Sequence, residues 1–419
     1  MNVIRKIIID ILKKNEGLRK LARKIVWGWR SLCYRNAVRG IRVNERLVLF
    51  ETFMGRQYGC NPRAIYEAML CDRAFDDFIF VWAFTDVEKQ KDYAQLARAD
   101  IVRYGSREYF RYTAAAGTLI TNSNLDYRIV RKPQQCFVQT WHGTPLKRLR
   151  CDIEAAHGNA NNSLDEIRAS NDRDVARYSF FLSPSGFATE KFISAFRLAD
   201  LHKEDILIET GYPRNDILFH YKEADRKRIR DRLGISDHKK VILYAPTFRD
   251  NAHESGRGYT YDLALDFDVL REALDKDFVI LFRAHYFVAS SFDFARYQGF
   301  VYDVSAEDDV SELLVISDIL VTDYSSVFFD FANLRRKIVF YMYDLEEYQH
   351  QIRGFYLSTE ELPGPVVTNE ADLLEAIRSR DPVYDEAYAK FNLKYNHLED
   401  GQASRRVIEK VFGNEEQNR

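Results

Sequence analysis

Ten short apolar runs, separated by longer stretches of helical periodicity, constrain most strongly what this 419-residue chain can fold into. Five are Leu47–Phe50, Phe78–Phe84, Thr118–Thr121, Phe137–Trp141 and Phe180–Leu182; five more are Ile206–Glu209, Val241–Ala245, Phe278–Phe282, Ile319–Thr322 and Ile338–Tyr341. Strands that alternate with helices pair in parallel, because each crossover helix returns the chain to the same end of the sheet. The expected fold class is therefore α/β, with helices on both faces of parallel sheets. The length is too great for one ordinary core and suits two. A seam is expected between Phe192 and Asp205. It divides the chain into a leader over 1–44, an N-terminal half over 45–204 and a C-terminal half over 205–419. The last helix, near Ala403–Phe412, is expected to fold back across that seam.

The unusual polar clusters follow these runs closely. His142-Gly143-Thr144 follows Phe137–Trp141, and Ser183-Pro184-Ser185 follows Phe180–Leu182. Gly211 to Asp216 follows Ile206–Glu209, Thr247-Phe248-Arg249 follows Val241–Ala245, His285 follows Phe278–Phe282, and Asp323-Tyr324-Ser325-Ser326 follows Ile319–Thr322. Open parallel sheets bind ligands beyond the carboxyl ends of their strands. Two such sheets facing one another predict a ligand cleft between the halves.

Charge is distributed unevenly. Residues 1–43 carry twelve Lys or Arg against Asp10 and Glu16, a net +10; with the whole chain at −2, the remainder holds −12. An acidic body argues against general nucleic-acid binding. In the leader, Ile4, Ile7, Ile8 and Ile11 share one helical face, as do Leu18, Leu21, Ala22 and Ile25, followed by Trp27 and Trp29. A basic amphipathic segment with indoles predicts docking on an anionic membrane surface, although a helix packed on the body has the same pattern. No apolar run approaches the ~20 residues of a membrane span, and Asp10, Lys13 and Lys14 interrupt any signal-peptide core. Five scattered cysteines without a CxxC pair fit reduced thiols and give no zinc site.

Three clusters of the second half suit a diphosphate. Ser325 and Ser326, after Asp323, precede an apolar helix start: a cap, a phosphate cradle of free amides and hydroxyls, or both. His285, two residues after Arg283, adds a charged and a switchable donor, and Thr247 and Arg249 add a hydroxyl and a guanidinium. Paired acids for a metal are missing from this set, so neither metal nor cofactor is expected. In the first half, His142 stands before Gly143, Thr144 and Pro145 on a tight turn, placed to take a proton from an acceptor hydroxyl, or else to cap the next helix. Gly55, Tyr58 and Asn61-Pro62 form a loop whose Asn and Pro mark a helix start.

Taken together, these segments resemble the CDP-glycerol glycerophosphotransferases of teichoic-acid synthesis, the TagB/TagF-like family. The resemblance rests on Gly55…Tyr58…Asn61-Pro62, Trp141–Lys147, Gly211…Pro213-Arg214-Asn215-Asp216 and Tyr244–Arg249. It continues through Arg283…His285, Ser317–Ser326 and Pro363-Gly364-Pro365, and departs at Tyr286 and Lys337, where a proline is usual. It implies a GT-B fold of two Rossmann-like domains, with CDP-glycerol as donor and a polyprenyl-diphosphate-linked saccharide as acceptor, at the cytoplasmic face of the cell membrane. By the family pattern His142 and His285 would be catalytic, His142 as general base. Arg214, Asn215, Thr247, Arg249, Arg283, Asp323, Ser325 and Ser326 would hold the donor. Gly55, Tyr58, Asn61, Gly143, Thr144 and Lys147 would lie on the acceptor side. The acceptor hydroxyl would attack the glycerol-bearing phosphorus and release CMP. A chain with one leader and two domains points to a primase-like member rather than a polymerase. Competing readings are a polymerase using CDP-glycerol or CDP-ribitol, a nucleotide-sugar glycosyltransferase of the same fold, and a non-catalytic membrane-bound nucleotide-binding scaffold.

Overall fold

The computed structural model describes residues 16–90, 93–153, 164–247, 253–254, 258–259, 264–284, 293–345, 354–379 and 384–413. The first sheet contains β1 (Asn44–Glu51), β2 (Ile79–Phe84), β3 (Ala99–Arg103), β4 (Ala116–Thr121), β5 (Cys136–Gln139), β6 (Phe180–Ser183) and β7 (Leu207–Glu209). Their order is β3-β2-β1-β4-β5-β6-β7, parallel throughout. The second contains β8 (Lys240–Ala245), β11 (Phe278–Phe282), β12 (Val301–Asp303), β13 (Ile319–Thr322), β14 (Lys337–Tyr341) and β15 (Val366–Val367). It runs β12-β11-β8-β13-β14-β15, also parallel. A separate hairpin pairs β9 (His253–Glu254) with β10 (Gly258–Tyr259). Two doubly wound sheets of this kind constitute a GT-B architecture.

The continuous apolar runs make sense once both faces of each sheet are covered. Successive side chains of a strand point to opposite faces. Leu47 and Leu49 thus join one core of the first half, while Val48 and Phe50 join the other with Trp82. In the second half, Val241 and Leu243 go to one core and Ile242 and Tyr244 to the other.

Six helices matter for the site: α1 (Glu16–Val38), α2 (Cys60–Leu70), α3 (Arg107–Ala115), α4 (Val310–Ile316), α5 (Val327–Ala332) and α6 (Ala403–Phe412). Helix α6 lies on the first sheet. Val407 is fully buried with Val48, Phe50 and Trp82, and the Phe412 ring sits 5.3 Å from that of Phe75. Asp216 caps α6 by accepting the amides of Ala403 and Ser404 at 2.9 and 2.8 Å.

One assignment needs correction. The run at Ile206–Glu209, read as the head of the second series, pairs with β6 and is the seventh strand of the first sheet. A three-residue edge strand carries no periodicity of its own, so nothing local says which sheet it joins. The apolar repeat at Ile4–Ile11 lies outside the described residues. Among those described, no helix is long and apolar enough to cross a membrane. Lys337 opens β14 and donates Nζ to the carbonyls of Ala376 and Ile377 at 2.8 and 3.1 Å.

Candidate active site

Each sheet has a point where the strand order reverses direction, and the loops leaving that point diverge to form a crevice. In the first sheet it falls between β1 and β4, in the second between β8 and β13. The two crevices face each other across a cavity of about 220 Å³. Phe53, Cys60 and His142 line it from the N-terminal half; Thr247, Arg283, Ser325 and Ser326 line it from the other.

Around the first crevice the backbone is strained. After β1, Phe53 and Met54 adopt φ of 48° and 58°, and Cys60 and Trp141 take 59° and 51°. Each left-handed non-glycine residue costs on the order of 1–3 kcal/mol and persists only where surrounding structure imposes it. The imposition is visible: the Phe53 amide donates to Asn122 Oδ1 at 2.8 Å, and the Met54 amide to Ser123 Oγ at 3.1 Å. Gly55 follows at φ 80°, where a Cβ would come within 2.9 Å of Tyr104 Cβ.

His142 is half-buried at the cavity wall. Its ring stacks on Trp141 at 4.5 Å and meets the edge of Phe53 at 5.5 Å. Nδ1 lies 2.7 Å from the carbonyl oxygen of Asn122. A carbonyl only accepts, so this contact assigns the hydrogen to Nδ1 and leaves Nε2 with a free lone pair. Burial lowers the pKa to about 4 against the opposing Asn122 bond, with the charges of Arg214 and Arg150 adding to the drop. The ring is therefore neutral at pH 7 and able to accept a proton.

The groups on the opposite wall are anchored as firmly. Arg283 donates Nη1 to the carbonyls of Val304 and Glu307 at 3.1 and 2.9 Å. Burial draws its pKa down while Asp309, Glu307 and Asp308 oppose this, and a guanidinium stays charged regardless. The Thr247 amide and hydroxyl both donate to Asp323 Oδ1, at 2.8 and 2.6 Å. Gly143 lets the two halves touch, since a Cβ there would fall 2.5 Å from Ser326 Oγ.

Several residues assigned from sequence do not face the cavity. Tyr58 is fully buried against Trp82 and its hydroxyl donates to Glu67 at 3.0 Å. Asn61, also fully buried, donates Nδ2 to the carbonyls of Thr140 and Trp141, both at 3.1 Å, and accepts the Arg214 amide at 3.1 Å. It staples the histidine turn to Arg214 and has spent both of its amide hydrogens on backbone carbonyls. Gly55 and Thr144 sit behind the wall, and Lys147 bridges antiparallel to Phe355. Beside that bridge, Arg148 donates its amide to Gly354 O at 2.9 Å and Tyr356 to Leu146 O at 2.8 Å.

Arg214 borders the cavity, but its Nη2 lies 2.5 Å from Asp330 Oδ2 and its Nη1 donates to His142 O at 2.6 Å. Asn215 Nδ2 donates to the other Asp330 oxygen at 3.0 Å. Both residues are thus engaged on Asp330, and Arg214 also holds the histidine turn. Burial opposes the Arg214 charge, yet neighbouring Asp330 holds it firmly protonated. Asp323 is likewise turned toward Thr247. His285, Arg249 and Tyr286 lie outside the described residues.

Sequence reasoning missed Asp308. Its buried carboxylate accepts from Lys89 Nζ at 2.7 Å, Gln90 Nε2 at 2.8 Å, Tyr93 OH at 3.2 Å and the Tyr58 amide at 3.3 Å. Arg63 reinforces this seam by reaching Asp309 and Glu312 of α4 at 3.4 and 3.0 Å. Asn122 was missed as well, although Asn122-Ser123-Asn124 directly follows an apolar run.

A family model described as CDP-Glycerol:Poly(glycerophosphate) glycerophosphotransferase matches residues 33–413. The teichoic acid poly(glycerol phosphate) polymerase of Bacillus spizizenii is 36% identical over 400 residues, covering 93% of this chain and 99% of its own. The teichoic acid glycerol-phosphate transferase of Staphylococcus aureus is 38% identical over 381 residues, 88% of this chain and 93% of that one. Among solved structures, the wall teichoic acid polymerase TagF superposes with a TM-score of 0.84 at 32% identity, covering 96% of this chain and 98% of its own.

Proposed function

The chain belongs to the CDP-glycerol:poly(glycerophosphate) glycerophosphotransferase family, and on that premise we propose that it moves glycerol phosphate from CDP-glycerol to a hydroxyl of a lipid-linked acceptor. One observation carries this reading. A neutral, tautomer-fixed histidine stands on one wall of the cavity, with a guanidinium and two hydroxyls from Arg283, Ser325 and Ser326 on the other.

In the proposed step the acceptor oxygen bonds to the glycerol-bearing phosphorus, and the bond from that phosphorus to the CMP oxygen breaks. The acceptor proton passes to Nε2 of His142, and CMP leaves with the bonding electron pair. A positioned base contributes ~10²–10⁴ in rate. Donors fixed before the reaction stabilise the developing charge without reorganising. The three carboxylates at the cavity wall are already engaged: Asp330 by Arg214 and Asn215, Asp308 by four donors, and Asp309 by Arg63 and the Ser311 amide. Cation-independent transfer is part of the proposal.

How many units are added is a separate matter. The polymerase reading fits about as well as the primase-like one: this chain spans 99% of the B. spizizenii polymerase, which removes compactness as an argument for a primase, and 93% of the S. aureus transferase. We place the enzyme on the inner face of the membrane, supported by the exposed Ile25, Trp27, Trp29 and Leu32 of α1.

The test is mass spectrometry of products after incubation with CDP-glycerol and a lipid-linked disaccharide. The expected result is a gain of whole glycerol phosphate units with matching CMP. Release of a nucleoside diphosphate, or no product from a folded protein, would overturn the reading. An early time course at donor excess separates one addition from a ladder.

A further inference from the structure

A second cavity, of about 820 Å³, opens between α1 and α3, away from the cleft. Its size is that of a small-molecule site. Its walls are apolar: Ile25, Trp29 and Tyr34 from α1, and Phe110 from α3. Tyr34 and Phe110 meet edge to face at 5.4 Å, and the Trp27 ring, 5.4 Å from Tyr127, pins α1 to the loop after β4.

Three arginines stand among the lining residues: Arg30, Arg107 and Arg128, with no Asp or Glu. Arg128 is engaged, paired with Asp126 at 2.7 Å and lying 4.3 Å over Phe110. Among the described residues, the guanidinium groups of Arg30 and Arg107 have neither a hydrogen-bond nor an ion-pair partner. Two unpaired guanidinia beside an apolar trough suit one kind of ligand, an apolar chain with a strongly anionic head. Guanidinium matches phosphate oxygens in bidentate fashion.

We propose that this groove binds the prenyl diphosphate end of the acceptor, with the chain against Trp29 and Phe110 and the diphosphate between Arg30 and Arg107. The geometry connects it to the chemistry. Arg128 lies six residues beyond Asn122, whose carbonyl fixes His142. Six residues span at most about 22 Å, a reach the saccharide of an anchored acceptor can bridge. The ligand's identity as acceptor rests on the proposed transfer; the existence of the groove does not.

Calorimetric titration of the full-length protein with farnesyl diphosphate tests the site, with farnesol, inorganic diphosphate and phosphatidylglycerol vesicles as separate arms. Farnesyl diphosphate is expected to bind roughly tenfold or more tighter than either of its parts. The double variant Arg30→Gln/Arg107→Gln, and separately Cys33→Trp, which fills the exposed wall, should each lose about that factor and keep CDP-glycerol binding. The KM for a lipid-linked acceptor should rise in both, while transfer to a lipid-free acceptor is retained.

Equal affinity for farnesyl diphosphate and diphosphate, displacement by CDP-glycerol, or equal competition from the vesicles would overturn the site. So would binding that emerges only after residues 1–15 are removed, which would make the leader its occupant. Groove binding without transfer to any acceptor would sink the enzymatic reading alone. Transfer with an unchanged lipid-acceptor KM in both variants would sink the groove alone.

Discussion

Donor binding should raise the pKa of His142 by about two units, because burial holds that ring at about 4 and the diphosphate brings opposing charge. The cavity of about 220 Å³ is roughly 7 Å across; at ~7 Å and an effective dielectric near 20, one charge is worth about 2.4 kcal/mol, close to two pH units. With one donor charge answered by Arg283, the other carries the ring from about 4 to about 6. The base thus gains strength when its substrate is present. Initial rates of CMP release between pH 4 and 9, at limiting and saturating CDP-glycerol, should show it. The acid limb of kcat/KM reports the free enzyme and should fall near pH 4; that of kcat reports the complex and should fall near pH 6. Coincident limbs, or the same limbs in the residual activity of His142→Gln, would refute the reasoning. The sign of the stability effect follows from the same depression. As pH falls from about 6.5 to about 4, the unfolded chain takes up the proton first, so the ligand-free fold loses stability across that window.

Other expectations follow from single contacts. His142→Ala should abolish transfer while calorimetry still shows CDP-glycerol binding; a folded variant that no longer binds donor would put His142 in the wrong role. Arg214→Met strands the Asp330 carboxylate and should cost about 3–5 kcal/mol, a drop of roughly 3–6 °C in Tm for a chain of this length. Arg214→Met/Asp330→Leu should recover most of it, and a double variant no better than the single would show that the pair is not the cause. Asp308→Ala should loosen the two halves, enlarging the radius in small-angle scattering and raising the CDP-glycerol KM; identical scattering would refute that role. Transfer should persist in EDTA, and complete loss restored by magnesium would contradict cation-independent transfer.

The parallel sheets and the histidine turn were legible because each has a local signature. Apolar runs name their strands, and Gly143 beside His142 names a tight turn. Tyr58 and Asn61 were misplaced for a physical reason. A polar side chain in a crevice loop serves backbone carbonyls as readily as ligands, and spacing does not distinguish them. Asp308 and Asp330 were invisible because their partners Lys89 and Arg214 lie more than a hundred residues away. The edge strands β3, β12 and β15 went unseen as well, being only five, three and two residues long and, in β3 and β12, carrying a polar residue within the strand.

Helix α6 has a consequence for how the molecule comes to exist. It completes a core whose other members all come from the first half, on β1, α2, β2, β4, β5, β6 and the segments between them, so Val48, Phe50 and Trp82 wait for Val407 during synthesis. At about 5–20 residues per second, some 10–40 s separate the emergence of β7 from that of Phe412. Over that interval the nascent N-terminal half presents an unfinished apolar face, the surface that holdase chaperones bind. A ribosome stalled before α6 should leave a product that aggregates, although every strand of the first sheet has already been made.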